Sequence, residues 1–468
     1  MSVQDEAVER LGRRRLLTGA GIALGGAGAM TLTRVAPAEA AATAVVAVNV
    51  KDFGAVGDGT TDDRTAIQNA LNDISSSGGA VYFPPGDYVV SGPLVPKSRT
   101  LMYGTHTPRW DATSNPAAAT KIRCRSNFAG AGLILPGNTI VAVTLRNLAL
   151  VGAGVGTTVH GLRMPDQSGA TGESSWCLED VTIAGFTGAG IFGRVHVATI
   201  TGCFIHNNLG WGIDASSGNA WNDVHVANCY VYYNKSGGVY FGGTSTSAAV
   251  DWLNCRFERG GTNPANVFSP LNSNAPGVRL ANAELMLFVN CTTDANTGCG
   301  VECVNEQGNY RPQRLLFVNC RFSRDGTGAN GSGSVPPDGA GLRVKGVNTD
   351  AGSVGPVKCV NCMVTYGKAD DAGGGTILGP KYGVWMDYTN YFQWIGGDLD
   401  PSPQVSNNAY AGSNNWKPVI VDPKMGLLTL PVDVPTSPVL PDGAAYVDVA
   451  NSKLKVRVGG VWKQVTLT

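Results

Sequence analysis

Six short stretches of this 468-residue chain read alike: Ile200-Thr-Gly-Cys203-Phe-Ile205, Val226-Ala-Asn-Cys229-Tyr-Val231, Trp252-Leu-Asn-Cys255-Arg-Phe257, Phe288-Val-Asn-Cys291-Thr-Thr293, Phe317-Val-Asn-Cys320-Arg-Phe322 and Cys359-Val-Asn-Cys362-Met-Val364. Two earlier stretches fit with Leu148 or Val181 in the cysteine slot, and the preceding slot holds Asn147, Asn228, Asn254, Asn290, Asn319 or Asn361 in six of the eight. A second element interleaves with the first: a glycine followed by a branched apolar residue, at Gly161, Gly190, Gly212, Gly238, Gly277, Gly300, Gly341 and Gly383. From the Asn slot to this glycine the spacing is 10 residues in four units and 14, 23, 22 and 22 in the others. Two fixed anchors with variable turns between them are the mark of a solenoid, in which each unit can bury its inner face only against its neighbours.

The alternation inside each element has a period of two, so the units are strands. After the glycine one residue points in and the next out; after Asn, the cysteine points in. The expected fold is therefore all-β, a solenoid of eight or more coils of parallel strands. Cysteines in one slot then stack inside as small buried hydrophobes, in preference to disulfides, and the asparagines form a ladder at a corner, their side chains satisfying turn backbone groups. Residues Asp62 to Ser77 carry Ala66, Ile67, Ala70, Leu71 and Ile74 at helical spacing, an amphipathic helix that caps the open end.

Composition agrees. Charged residues are 15% of the chain and glycines number 63, a pattern of turns and strands. Lys plus Arg and Asp plus Glu are equal at 35 each, so no net field favours nucleic acid or an anionic membrane. With 43% hydrophobic residues, disorder is excluded for the bulk. The organisation expected is a signal peptide over 1–40, a β-helix over 45–390, a proline-spaced extended linker over 391–443 and three short antiparallel strands over 444–468. The first segment combines Arg13-Arg14-Arg15, an apolar Gly/Ala-rich stretch from Gly19 to Leu32 and a small-residue cleavage site at Ala38-Glu39-Ala40. It resembles twin-arginine signals, which implies export of the folded protein and a secreted, extracellular location with no membrane association after processing.

Residues Asn49 to Asp63, then Ala66-Ile67-Gln68, then Gly79 to Tyr88 (Gly-Ala-Val-Tyr-Phe-Pro-Pro-Gly-Asp-Tyr) resemble the opening of the pectate-lyase-like superfamily, which includes rhamnogalacturonase-, epimerase- and polygalacturonase-type sequences and phage tailspikes. The resemblance implies a right-handed parallel β-helix that cleaves or binds acidic polysaccharides. It leaves calcium open as a cofactor, although no dedicated cation loop stands in the sequence, and no His/Cys spacing suggests another metal. Trp211-Gly212-Ile213-Asp214 resembles a fragment of the polygalacturonase carboxylate motif without its first acid. Leu342-Arg343-Val344-Lys345 resembles that family's substrate-binding Arg-Ile-Lys. The paired aspartates and the Gly-His-Gly of that branch are missing.

On a parallel solenoid the outward residues of one slot form a row. Two residues past each glycine the row reads Arg163, Phe192, Asp214, Tyr240, Arg279, Glu302, Arg343 and Trp385, aromatics beside ionisable groups, a combination suited to sugar rings. Long turns at 151–160 and 259–276 should rise as walls around a groove with Phe192, Asp214 and Tyr240 on its floor and His206, Tyr232 and Glu258 across the turn. Asp214 is the expected general acid or base, with His206 or Glu258 as partner. Glu258 and Asp294 occupy one slot of consecutive coils, at a separation that suits a two-carboxylate glycosidase. Glu302 between Arg279 and Arg343 is the alternative centre, with Lys345 and Trp385 as further contacts. The function expected is a lyase or glycoside hydrolase acting on an acidic polysaccharide; the alternative is a non-catalytic glycan-binding or adhesive β-helix. Whether the protein is a monomer or a trimer stays open.

Overall fold

The computed structural model describes residues 47–399 apart from 107–118, 138–139, 155, 165–174, 217–219, 263–271, 273, 307–311, 327–338, 347–353, 366, 369–376, 381 and 388–391, and beyond them the strands Val419–Asp422, Leu427–Thr429, Ala445–Asp448, Lys453–Val458 and Val461–Val465. The expected signal peptide lies outside these residues.

Most coils are three strands; in two, the first and second run on as one, Val143–Val151 and Trp176–Ala184. In one three-strand unit they are Val195–Thr201, Phe204–His206 and Trp211–Ala215; in the next, Trp221–Ala227, Tyr230–Tyr232 and Gly237–Phe241. Every strand pairs parallel with its counterpart one coil on, Ile205 with Val231 and Ile213 with Val239. The first and second strands of the coils build a 24-strand sheet; the third strands build a separate nine-strand sheet. The second element therefore keeps one register for eight coils.

Both anchors have a steric reason. The Asn slot is the corner between the first and second strands, with φ of 53° at Asn147, 55° at Asn228 and 52° at Asn361. This left-handed region costs roughly 1–2 kcal/mol for most residues, and Asn visits it most readily after Gly. Gly202 takes the slot in the one coil that lacks both Asn and Asp, at φ 66°. The asparagines bond chiefly to each other, Asn254 Nδ2 donating to Asn228 Oδ1 at 3.3 Å and Asn361 Nδ2 to Asn319 Oδ1 at 2.9 Å. The ladder is thus side chain to side chain, where backbone groups were the expected partners. In the glycine column a Cβ on Gly212 would sit 2.8 Å from the carbonyl oxygen of Gly238, and one on Gly238 would sit 2.3 Å from that of Gly277. Each glycine is required by the one above it.

The cysteine column faces inward. Cys203, Cys229, Cys255, Cys291, Cys320 and Cys362 are buried, and all eleven cysteines are free thiols. From Cys229 onward each Sγ of the column also reaches a carbonyl of the coil before, as Cys291 does to Trp252 O at 3.4 Å. Beside it another inward column changes from Leu178, Ile200 and Val226 to Trp252, Phe288 and Phe317, stacked with centroids 5.9 and 4.9 Å apart. Thiol titration without reductant should accordingly find few reactive groups in native protein and most of the eleven after denaturation; few thiols in the denatured, unreduced chain would contradict the column.

A second ladder, inside the turn between the second and third strands, was not foreseen. Asn208 Nδ2 donates to Asn234 Oδ1 at 2.9 Å, and Asn296 Nδ2 to Asp325 Oδ1 at 2.8 Å, all four residues fully or almost fully buried. Asp325 also accepts from Thr293 Oγ1 at 2.6 Å and from the Asn296 amide at 3.1 Å. Burial holds its carboxyl well above the usual carboxylate range, against the pull of these donors. The sign follows from linkage: with the folded pKa raised, the stabilisation is complete below the ordinary carboxylate pKa and is lost as pH rises through the folded value. Asp325→Asn should therefore gain on the parent as pH rises, by about 1.4 kcal/mol for each unit of pH within that window. Denaturant titrations at several pH values that run parallel for the two proteins would refute this.

The N-terminal helix is Arg64–Asp73, with Ile67, Ala70 and Leu71 buried. At the other end the strands do not stop at 390. Phe392–Ile395 pairs parallel with Val357–Val360, and Val419–Asp422 pairs with Phe392–Ile395 in turn. The expected linker thus holds further rungs: its proline spacing masked Phe392 and Trp394, which continue the core, and the paired strand Val419–Asp422. The last three strands pair antiparallel with one another.

Candidate functional site

The outward row of the nine-strand sheet is in strict register: Arg163 beside Phe192, Phe192 beside Asp214, Asp214 beside Tyr240, Tyr240 beside Arg279, Arg279 beside Glu302, Glu302 beside Arg343 and Arg343 beside Trp385. Consecutive members are about 4.8 Å apart along the column. The sequence alternates aromatic and charged groups, and the structure sorts them into two clusters.

The first surrounds Asp214. Its inward neighbours Ile213 and Ala215 fill the core, which fixes the side chain on the outer face between Phe192 and Tyr240. Its carboxylate accepts from the Ser216 amide at 3.0 Å. Burial raises its pKa, the Ser216 bond offsetting this in part. Among the described residues no cation forms an ion pair with it. Trp211, three residues earlier on the same strand, stacks on Tyr240 with centroids 5.1 Å apart; it fits because the next coil has Gly237 beneath it, where a Cβ would lie 2.4 Å from the indole. On the other side His160 stacks on Phe192 at 4.3 Å, with the Arg163 guanidinium 5.7 Å from the same ring. His160 Nδ1 accepts from the Ala189 amide at 2.9 Å, so its proton sits on Nε2, and burial pushes its pKa down to about 4, with Arg163 adding to the effect. It is a neutral donor at ordinary pH.

The second cluster is an ion network. Glu302 is fully buried and accepts from Arg343 at 3.1 Å and from Arg279 on its other oxygen. Arg279 Nε also donates to Glu306 at 2.8 Å, and Glu306 accepts the Tyr240 hydroxyl at 2.7 Å. Burial, then the Glu306 carboxylate, raises the Tyr240 pKa, so the phenol stays neutral. The network ends where Arg343 and Lys345 lie 5.2 and 5.9 Å from the Trp385 ring. Glu302 is therefore an anchor for two arginines.

The residues expected across the turn do not join the floor. His206 is buried and stacks on Tyr232, also buried, at 4.7 Å. Glu258 is held by Arg256, and Asp294 by Arg324 with Nε 2.7 Å from Oδ1. The two carboxylates do share a row, yet each is engaged by its own arginine, so the expected two-carboxylate pair becomes two ion pairs. The reason is positional: Arg324 occupies a left-handed corner one coil on (φ 52°), which brings its side chain back over the row. The long turn at 259–276 falls largely outside the described residues. Sequence reasoning passed over His160, Trp211 as a ring, and Glu306. For His160 and Trp211 the signal was present, since both directly precede a column glycine.

Among the described residues no group of three or more His, Cys, Asp or Glu side chains converges as a metal would require. The described floor carboxylates other than Asp214 are already bonded to arginines or to Tyr240, so that floor does not fit a calcium ion.

Known proteins share these features in two blocks. Residues 47–133 match the rhamnogalacturonase A/epimerase, pectate lyase-like family model, and residues 168–390 match the right-handed β-helix region. The fold is a right-handed parallel β-helix, and its opening segment is of the pectate lyase-like type. Mannuronan C5-epimerase AlgE6 of Azotobacter vinelandii is 54% identical over 54 residues, 11% of this chain and 6% of that protein. Plasmin and fibronectin-binding protein A of Streptococcus pneumoniae is 52% identical over 56 residues, 12% and 10% of the two chains. The chain thus spans a small fraction of these curated relatives' length, and the shared segment occurs in proteins with dissimilar names. Among solved structures, the AlgE6 A-module superposes with a TM-score of 0.53 at 20% identity, over 80% of this chain and 98% of that one. The enzymatically active domain of bacteriophage CBA120 tailspike protein 2 gives 0.55 at 16% identity, over 82% and 52%. At such identities the likeness is one of fold.

Proposed function

We propose that this protein is a secreted, polysaccharide-active β-helix, a lyase or glycoside hydrolase on an acidic polysaccharide, exported by the twin-arginine route and working through Asp214. The observation that carries the reading is a desolvated carboxyl without a cationic partner among the described residues, set in a row between two aromatic rings. Tyr240 and Trp211 offer apolar ring surface for sugar C–H faces, and Phe192 closes the other side. Arg163 before the floor and Lys345 beyond it have no carboxylate partner among the described residues, and suit uronate carboxylates. With its pKa raised, Asp214 is a general acid toward a leaving glycosidic oxygen or, once ionised, a base for a proton beside a uronate carboxylate. His160 Nε2–H supplies a neutral donor nearby.

A second reading, a non-catalytic glycan-binding or adhesive β-helix, draws support from Glu302 and Glu306, which the arginines occupy, so that Asp214 stands without a second free acid on the described floor. Incubation with a panel of uronate-containing and neutral polysaccharides separates the two. Ultraviolet absorbance from unsaturated ends identifies a lyase, and reducing ends without it identify a hydrolase. Solvent deuterium entering an uncleaved uronate would mean epimerisation. Retention without any product supports the binder and refutes the enzyme.

A further inference from the structure

The outer face of the first strands changes character part-way along the solenoid. Two outward columns run there in register. One reads Thr199, His225, Asp251, Leu287, Leu316, Lys358, Gln393; the other reads Thr201, Ala227, Leu253, Val289, Val318, Val360, Ile395. The early rungs are polar and carry the His225–Asp251 contact at 3.1 Å. From Leu253 onward the second column and the middle of the first are apolar: Leu287, Leu316, Val289, Val318 and Val360 are only half-buried, Ile395 is 43% exposed, and the neighbouring Leu285 is 50% exposed. Outward positions of a solvated sheet face are ordinarily polar, and a continuous apolar stripe marks a surface that is covered in use.

The order of charges in the first column says what covers it. Asp251 and Lys358 stand at equal distances on either side of the Leu287/Leu316 pair. A two-fold axis along the strands, passing between those two rungs, reverses the column. Asp251 then faces Lys358, Leu287 faces Leu316 and His225 faces Gln393. The same axis sets Leu253 against Val360 and Val289 against Val318. Within these two columns every facing pair is complementary, and the Asp–Lys pair occurs twice. We infer that this stripe is an isologous interface between two copies of the chain, packed sheet on sheet with their helix axes antiparallel. The nine-strand sheet, which carries Asp214, is a different face and stays open to substrate.

Six rungs at about 4.8 Å and two outward columns give roughly 400 Å² per copy, below the ~800 Å² of a standard interface. The association is accordingly weak and concentration-dependent. Sedimentation velocity on the full chain, from low to high micromolar concentration, should show a monomer–dimer equilibrium. Lys358→Glu places two acids opposite each other and should weaken the dimer by at least about tenfold, as should Asp251→Lys. The double variant Asp251→Lys/Lys358→Glu should restore it. Both positions lie on the surface, and unchanged circular dichroism checks the fold. A monomer at every concentration overturns the inference, as when another segment of the chain covers the stripe. So does a dimer indifferent to the reversals, a failure of the double variant to recover, or a closed trimer.

Discussion

Asp214→Asn is expected to retain substrate and to lose about 10²–10⁴-fold in turnover, the contribution of one positioned acid–base group. The amide keeps the shape of the carboxyl and the bond from the Ser216 amide, so the rings on either side should not move. The pH profile identifies the role. Burial has raised this pKa; if the protonated form is the working one, activity falls as pH climbs through the raised value, and if the ionised form works, activity falls on the acid side of the same value. In either case the corresponding limb should vanish in the variant. Normal turnover by Asp214→Asn together with an inactive Glu302→Gln would move the chemistry to the sixth coil and remove the groove reading.

Glu302→Ala should cost about 3–5 kcal/mol of folding stability, the scale for removing one partner of a buried ion pair. Glu302 is completely buried, and its loss leaves Arg343, nearly buried itself, and Arg279 facing each other without the carboxylate that separates them. Because Arg279 also holds Glu306, which receives the Tyr240 hydroxyl, the damage should reach the Asp214 cluster: the Tyr240 phenol should titrate differently in the variant while Asp214 is intact. Equilibrium unfolding within 0.5 kcal/mol of the parent, a margin typical of featureless surface positions, would show that the arginines are not anchored there.

How much of this could be read from residues alone depended on whether the chain's constraints were sterically unique. The glycine column was legible because no other residue fits under the carbonyl of the following coil, and the Asn slot because asparagine tolerates the left-handed corner. The other corners were not. Val197, Asp223, Ala249, Leu285 and Arg314 take φ of 53–59°, as do Tyr233, Arg259, Ala295 and Arg324 near 52–54°. Apart from Asp223, these residue types carry no turn signature; the stacked coils impose the conformation on them at a cost the core offsets. That missed geometry undoes the expected two-carboxylate pair, since it turns Arg324 back onto Asp294. Likewise the row through Asp214 follows from a period of two, whereas the engagement of Glu302 and Glu306 depends on how far arginine side chains reach between coils. Past 390 the prolines concealed strands whose inward residues, Phe392 and Trp394, continue the core.

The corner asparagines also bear on how such a chain can change length. Asn228 and Asn254 occupy the same corner, 26 residues apart, in the same left-handed conformation and bonded to each other. A cut at one corner and a rejoining at the other would excise a complete coil: one cysteine, one column glycine and one floor residue would leave together, and the exposed edges would meet with matching hydrogen-bond groups. Duplication of the same segment would insert a coil just as cleanly. The repeat therefore behaves as a cassette, and the number of sugar-facing residues is a quantity that recombination can adjust one rung at a time without redesigning the core.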